Sequence, residues 1–413
     1  MIDKFILVVD DDPLLRKILA RMLKDLGQHK VLIAIDGFAA MDLVTKHGND
    51  IGFILSDLKM PGMDGVEFFR HLAELETQIP LAIMTGTDSR LVESIVELTI
   101  RRGLNYKGTL TKPVSQYALA SLLQTQITVT TVSEKATVTN ISRTAVSEIT
   151  VAMLGKAIIR DEIECYLQPQ IDAKTLDVIG FEALARWHHP ELGLIMPDRF
   201  ITVAENNFLI DELTFQIFRK GLESFRKIKS KLDYATISFN LSSNSLNNTE
   251  LPEILSDLLY ENKIQFSEVV IEITESKLSL DFVNSLDVMT RLSLKGFNLS
   301  IDDFGTGFSS LEQLQKFPFT ELKIDRVFTQ NLDISPTSQL LVESSVRLAQ
   351  KMGLKVVAEG VETEQQISQL RSMGCDILQG FYFSKALDSK QIEIWLNNRK
   401  NTTSLDISQT LST

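Results

Sequence analysis

Phe5-Ile6-Leu7-Val8-Val9-Asp10-Asp11-Asp12 is a run of five apolar residues closed by three acids. A short, continuously apolar run that stops at turn-forming residues reads as a strand buried in a parallel sheet. The chain then changes period: Leu14, Leu15, Ile18, Leu19, Met22 and Leu23 recur at helical spacing over 13–26. The same alternation repeats outward. Apolar runs at 30–35, 52–56, 80–84 and 107–111 are separated by amphipathic stretches near 37–47, 64–76, 88–102 and 115–126. Five strands alternating with helices predict an α/β fold with a doubly wound parallel sheet. Ligands of such sheets gather at the carboxyl ends of the strands.

Beyond this region the composition shifts. Residues 127–149 are rich in Thr, Val and Ser and poor in large apolar side chains, as a linker with at most a little strand would be. A second, longer alternation covers 150–398, with strand candidates near 164–168, 178–186, 235–241, 268–273, 298–302, 321–324, 355–359 and 377–380. Helical stretches lie at 200–228, 251–261, 281–295, 338–353 and 364–373. Eight strands in about 250 residues is the size of a TIM-like (β/α)8 barrel. The expected organisation is a domain over 1–126, a linker over 127–149, a barrel over 150–398 and a frayed polar tail over 399–413.

Composition removes several function classes. Of 413 residues, 44% are hydrophobic and 23% charged, which is globular usage and excludes a disordered or fibrous chain. The 54 acidic and 42 basic side chains leave a net charge of −12, against a nucleic-acid or anionic-membrane partner. An anionic substrate therefore needs local help from a metal or a few placed cations. Cys165 and Cys375 are far apart and outside any CxxC, and none of the five histidines lies in HExxH. A disulfide framework and a thiolate zinc site are excluded, and any metal should sit among oxygens. His188-His189-Pro190 reads as a surface turn. No apolar run approaches 18 residues, and the one at 5–9 is too short for a signal-peptide core, so a cytoplasmic protein without membrane insertion is expected.

The acids fall where the strand alternation predicts ligands. Asp10, Asp11 and Asp12 follow the first strand, Asp57 the third, Thr85 the fourth and Lys112-Pro113 the fifth. Carboxylates crowded on one edge call for a hard divalent cation. A carboxylate nucleophile, a hydroxyl and a Lys around Mg²⁺ are what phosphoryl transfer needs. On these residues, 4–125 resembles the receiver domain of bacterial response regulators, of flavodoxin-like fold. The resemblance implies that Asp57 accepts a phosphoryl group from a sensor histidine kinase, and that Asp10, Asp11 and Asp57 hold one Mg²⁺. It implies that Thr85 binds the phosphoryl oxygen and that Lys112 pairs with it. Asp12 has no assigned role, and Thr109 stands where many receivers carry an aromatic switch residue.

The second region repeats the pattern on a larger scale. In Glu182-Ala183-Leu184-Ala185-Arg186, the period of two puts Glu182, Leu184 and Arg186 on one strand face. Further strand ends carry Asn240, Glu272 with Glu275, Asp302-Asp303, Lys323 with Asp325, Glu359 with Glu362, and Gln379. In a TIM-type barrel these ends form the face where active sites lie. Acids and an amide, with no His or Cys, specify Mg²⁺ or Mn²⁺, and two such ions would clamp a phosphodiester. Asp303-Phe304-Gly305-Thr306-Gly307 can form a tight lid loop, anchored by Glu275, with Phe308 and Phe381 flanking the motifs as candidates to stack on bases.

This region resembles the EAL family of cyclic-di-GMP phosphodiesterases. The resemblance implies a barrel with one antiparallel strand that hydrolyses cyclic di-GMP to linear pGpG. It implies Glu182, Asn240, Glu272, Asp302 and Asp303 as metal ligands, with Glu359 near the second metal. Lys323 would act on the attacking water, Gln168 and Arg186 on substrate, and Gln379 in support. Glu182, Lys323, Glu359 and Asp303 are the catalytic candidates. A response regulator with an enzymatic output is the expected whole, and a dimer or higher oligomer is left open. The competing expectation is an inactive EAL domain serving as a cyclic-di-GMP sensor or a protein scaffold. A cyclase is excluded by the lack of any Gly-Gly pair, and DNA binding by the absence of a third domain.

Overall fold

In the computed structural model, β1 (Phe5–Val9) lies between β2 (Val31–Ala34) and β3 (Ile51–Asp57), and β4 (Leu81–Thr85) and β5 (Tyr106–Thr111) extend the sheet. All four pairings are parallel, in the order β2-β1-β3-β4-β5. Residues 4–86, 89–124, 149–232, 234–274, 282–305 and 311–410 are described. They divide into two compact units, one around each sheet.

Helices α1 (Pro13–Asp25), α2 (Gly37–His47), α3 (Gly65–Glu74), α4 (Ser89–Arg101) and α5 (Gln116–Gln124) connect the first five strands. Local chemistry starts three of them. Asp12, Asp36 and Asp64 accept from backbone N–H groups of the first turns of α1, α2 and α3, and Pro13 opens α1 where no N–H is needed. Asp12, the acid without a role, is thus a helix cap. Ile6, Val8, Phe53, Leu55, Ala82 and Met84 from the strands pack with Leu19 and Leu23 of α1. Each fully buried aliphatic side chain contributes about 1.5–3 kcal/mol.

The second sheet closes on itself. Its strands are β6 (Ile163–Asp172), β7 (Val178–His189), β8 (Gly193–Ile195), β9 (Thr236–Leu241), β10 (Val269–Thr274), β11 (Asn298–Phe304), β12 (Glu321–Ile324), β13 (Lys355–Ala358) and β14 (Ile377–Leu378). The order β6-β14-β13-β12-β11-β10-β9-β7, with β7 paired back to β6, makes an eight-stranded barrel, and β8 is a hairpin extension of β7. β6 is antiparallel to both neighbours, while the other barrel pairings are parallel. The TIM-like barrel with a single reversed strand is therefore present.

Four local readings change. His188 and His189 belong to β7, paired with Leu194 and Gly193, so the turn lies beyond them. The helix expected over 200–228 is broken into α7 (Ile201–Asn206) and α8 (Ile210–Ile228), with Phe208 at φ +57° between them. A helix at Val151–Ile159, capped by Thr150, precedes the barrel and carried no signal strong enough to be read. The tail from 399 is the continuation of a helix over Ser389–Thr410. Asp388 caps its start by accepting from Lys390 N and Gln391 N, and buried Ile392 and Leu396 anchor it. Most of the expected linker lies outside the described residues.

Candidate functional site

The barrel's parallel strands end in a cluster of acids built around one lysine. Lys323 on β12 is fully buried. Its Nζ lies 2.6 Å from Glu359 Oε1, 2.7 Å from Glu272 Oε2, 3.4 Å from Asp302 Oδ1 and 3.6 Å from Glu182 Oε1. Burial alone would favour the neutral amine, but Asp302, Glu182, Glu272 and Glu359 outweigh it and hold the ammonium well above its ordinary range. The acids divide unequally. Glu182 is lowered: burial opposes this, but Lys323, Gln379 and Asn240 together prevail. Burial drives Glu272 well above the carboxylate range, and Glu182 and Asp302 add to it. Glu359 is pushed to about 8, first by burial and then by Asp302 and Glu182, against Lys323.

Strand register explains the meeting. Glu272 stands beside Asn240 across β10 and β9, and Glu182 beside Gln168 across β7 and β6. The Asn240 amide donates to Glu182 Oε1 at 2.7 Å and that of Gln379 to Glu182 Oε2 at 2.6 Å. Gln379 also donates to Gln168 Oε1 at 3.2 Å and accepts from Gln170 Nε2 at 3.1 Å. Gln170 thus completes an amide chain that aims both Glu182 oxygens, and the sequence reading missed it. Its signal was its spacing of two from Gln168, which puts both amides on the inner face of β6.

Asp302 and Asp303 both line the cleft above this cluster, although consecutive strand residues normally face opposite ways. The cause is an irregularity in the β11–β12 register between Ile301 and Phe304, with Asp303 at φ +56°. A non-glycine residue held there stores strain, as functional sites often do. Asp303 is pushed to about 6 by burial, then Asp302 and Asp325. Asp325 itself caps a short helix by accepting from Val327 N, and Glu362 accepts from Gln330 Nε2. The cleft, about 780 Å³, is also lined by Gln168, Arg186 and Gln379. Arg186 Nη1 donates to Ala185 O, and its guanidinium lies 5.9 Å from the Tyr166 ring centroid. Cys165 and Cys375 are buried core residues whose thiols burial pushes to about 12. Glu275, Thr306 and Phe308 lie outside the described residues.

Four carboxylates share one ammonium, and Glu272 Oε1 is buried without a hydrogen-bond partner among the described residues. An anionic excess of this kind fits hard cations held by oxygen. Glu182, Asn240, Glu272, Asp302, Asp303 and Glu359 offer that ligand set.

The first sheet's carboxyl edge carries a smaller version. Ligand oxygens of Asp10, Asp11 and Asp57 lie within 4.8 Å of one another. Lys112 Nζ bridges Asp10 Oδ2 at 2.8 Å and Asp57 Oδ2 at 2.7 Å. Burial raises Asp57 despite Lys112, and Lys112 is raised because its bonds to Asp10 and Asp57 outweigh its burial. Thr85 is buried at the end of β4. The Thr109 hydroxyl is 2.8 Å from that of Tyr106, so an aromatic side chain stands beside the unusual threonine.

A doubly wound sheet with an aspartate–lysine edge, joined to a barrel with an oxygen-ligand cluster, defines a two-domain signalling protein with a metal-type hydrolytic site. Residues 6–124 match the response regulator receiver domain family and residues 151–386 the EAL domain family, so the chain belongs to the EAL family and carries a receiver. It is 35% identical over 390 residues to the cyclic di-GMP phosphodiesterase RocR of Pseudomonas aeruginosa, covering 94% of this chain and 97% of that one. It is also 35% identical over 244 residues to the cyclic di-GMP phosphodiesterase NbdA of the same organism, covering 59% of this chain but 31% of that longer protein. The PaMucR phosphodiesterase in complex with c-di-GMP superposes at a TM-score of 0.56 with 35% identity, covering 59% of this chain and 98% of that one.

Proposed function

We propose that this protein is a response regulator that hydrolyses cyclic di-GMP to linear pGpG at the barrel site, with phosphorylation of Asp57 modulating the rate. The observation that carries the catalytic reading is the cluster of Glu182, Glu272, Asp302 and Glu359 around buried Lys323. The likeness to RocR along nearly its whole length supports the substrate and the two-domain use.

In the proposed reaction a water oxygen adds to one phosphorus, the P–O3′ bond breaks, and O3′ takes a proton. Divalent ions, Mg²⁺ or Mn²⁺ and two by the size of the ligand set, would neutralise the phosphodiester charge and acidify water. Glu182, Asn240, Glu272, Asp302, Asp303 and Glu359 would hold them. Gln379, backed by Gln170, fixes the Glu182 carboxylate, so the ligand does not reorganise during turnover. Lys323 is a fixed ammonium donor, suited to holding the attacking water rather than removing its proton. Gln168 and Arg186 line the cleft where substrate would lie. At the receiver, Lys112 and Thr85 would meet the phosphoryl oxygens on Asp57, delivered by a sensor kinase or a small phosphodonor.

The test is incubation of the purified protein with cyclic di-GMP and Mg²⁺ or Mn²⁺, with products separated by chromatography. We expect pGpG, lost on EDTA treatment, with Ca²⁺ binding but not supporting turnover because its coordination is larger and looser. Full activity after EDTA would overturn the metal-dependent mechanism. Binding of cyclic di-GMP without product would favour a sensor.

A further inference from the structure

Two charged groups at the cleft mouth have no part in the proposed cation site. Arg326 directly follows the Asp325 cap, and Glu362 follows β13, and both line the cleft. Arg326 is exposed and forms no ion pair among the described residues. Its stem is nevertheless fixed. Gly360 has φ +69°, and a Cβ there would lie 2.5 Å from Arg326 Cβ. Only glycine lets that loop close so tightly on Arg326. One helical turn beyond Arg326, Gln330 donates to Glu362 Oε1 at 3.1 Å, which steadies the carboxylate and leaves Oε2 open. The same wall carries the Phe381 ring, 59% exposed, with Lys385 Nζ 5.4 Å from its centroid. An exposed aromatic face, a guanidinium and a carboxylate on one wall form a set with a distinct chemical complement.

We propose that this wall reads a guanine base. Arg326 donates to the O6 and N7 acceptors, Glu362 accepts from N1–H and the 2-amino group, and Phe381 stacks on the ring. This rests on the cyclic-dinucleotide reading and specifies how the substrate's base is chosen. Adenine reverses both edges. Its 6-amino group meets the guanidinium donors, and its bare N1 meets a carboxylate that can only accept. The acids deeper in the cleft act on the phosphodiester and contain nothing that distinguishes bases, so selection falls to the mouth.

The test uses the full chain and its Arg326→Ala, Arg326→Lys and Glu362→Gln variants. Binding of cyclic di-GMP, cyclic di-IMP and cyclic di-AMP is measured by calorimetric titration, and KM and kcat are measured for the guanine dinucleotide. Both residues are exposed, so thermal midpoints should match wild type. Arg326→Ala should weaken cyclic di-GMP and cyclic di-IMP, which both keep O6 and N7, by about tenfold or more, and Lys should recover part of it. Glu362→Gln should weaken cyclic di-GMP by about tenfold and cyclic di-IMP, which lacks the 2-amino group, by less. KM should rise in step while kcat changes little. Unchanged binding, or equal losses for all three dinucleotides as a phosphate contact would give, overturns base reading while leaving the phosphodiesterase intact. Wild-type protein that neither binds nor cleaves cyclic di-GMP overturns both.

Discussion

The two acidic sites use the same parts under different burial. In the receiver, Lys112 serves Asp10 and Asp57, while Asp11 stays exposed and the Lys112 side chain is 24% exposed. In the barrel, Lys323 serves four acids and has no exposure. Water can relieve the first arrangement, and it cannot relieve the second. The receiver's aspartate can therefore wait as a nucleophile beside a lysine that already pairs with it. The barrel must take in cations or protons, which is what Glu359 at about 8 expresses. The difference teaches that ligand identity does not separate a phosphoacceptor from a hydrolytic centre. The number of carboxylates per buried cation does.

The strongest way to break this contrast is to remove one member of the barrel cluster. Glu182→Ala deletes the acid held by Asn240 and Gln379, and Lys323→Ala deletes the shared ammonium. Each should lower kcat about 100-fold or more with the fold retained in Mg²⁺, measured by product chromatography beside circular dichroism. A folded variant turning over at the wild-type rate would refute the role given to that residue.

Both folds and most of both sites were legible in the sequence because strand ends repeat a simple rule. An apolar run stops, and the first polar side chain beyond it, such as Asp57, Asn240 or Glu359, stands on the ligand edge. What escaped depends on geometry that runs of residue types do not encode. Gln170 became visible only when the β6–β7 register placed it inside the barrel. That Asp302 and Asp303 could both face the cleft needed an irregularity in β11. The caps at Asp12 and Asp325 looked like surplus site acids, because an N-cap and a ligand are the same residue type at the same strand end. Phe208 broke an expected helix by adopting a left-handed backbone that its residue type disfavours.

A smaller effect sharpens the comparison through pH. A carboxyl raised in the folded state stabilises the fold fully below its unfolded value, and this contribution is lost as pH rises through its folded value. With Asp303 at about 6 and Glu359 at about 8, protein in EDTA should lose stability as pH climbs through 6 to 8. Mg²⁺ should offset that loss by pairing the same charges. Thermal midpoints at pH 6 and pH 9, with and without Mg²⁺, check this. Glu359→Gln, which keeps the shape without the titration, should flatten the slope in EDTA. An equally steep slope in that variant would assign the pH dependence to other groups.

The smallest expected effect concerns communication between the two sites. A phosphoryl group on Asp57 adds nearly two negative charges and strong acceptor oxygens beside Lys112 and Thr85. Lys112 now divides its bonds between Asp10 and Asp57, and the new oxygens would compete for it. The receiver can thereby shift between two surface states, and the barrel responds only to the extent that the two states interact with it differently. Many receivers transmit this shift through an aromatic ring in the place Thr109 occupies. Here the hydroxyls of Thr109 and Tyr106 are bonded, and a hydroxyl pair moves less surface than a swinging ring. We therefore expect acetyl phosphate to raise the hydrolysis rate only about two- to fivefold, a coupling at or below the low end of ordinary allosteric free energies. Asp57→Asn should abolish the response and keep basal hydrolysis, because Asp57 is no part of the barrel cluster. Phosphorylation is followed by phosphate-affinity electrophoresis in the same samples. Wild-type protein that is phosphorylated at an unchanged rate of hydrolysis would sever the two sites functionally and leave the catalytic reading standing.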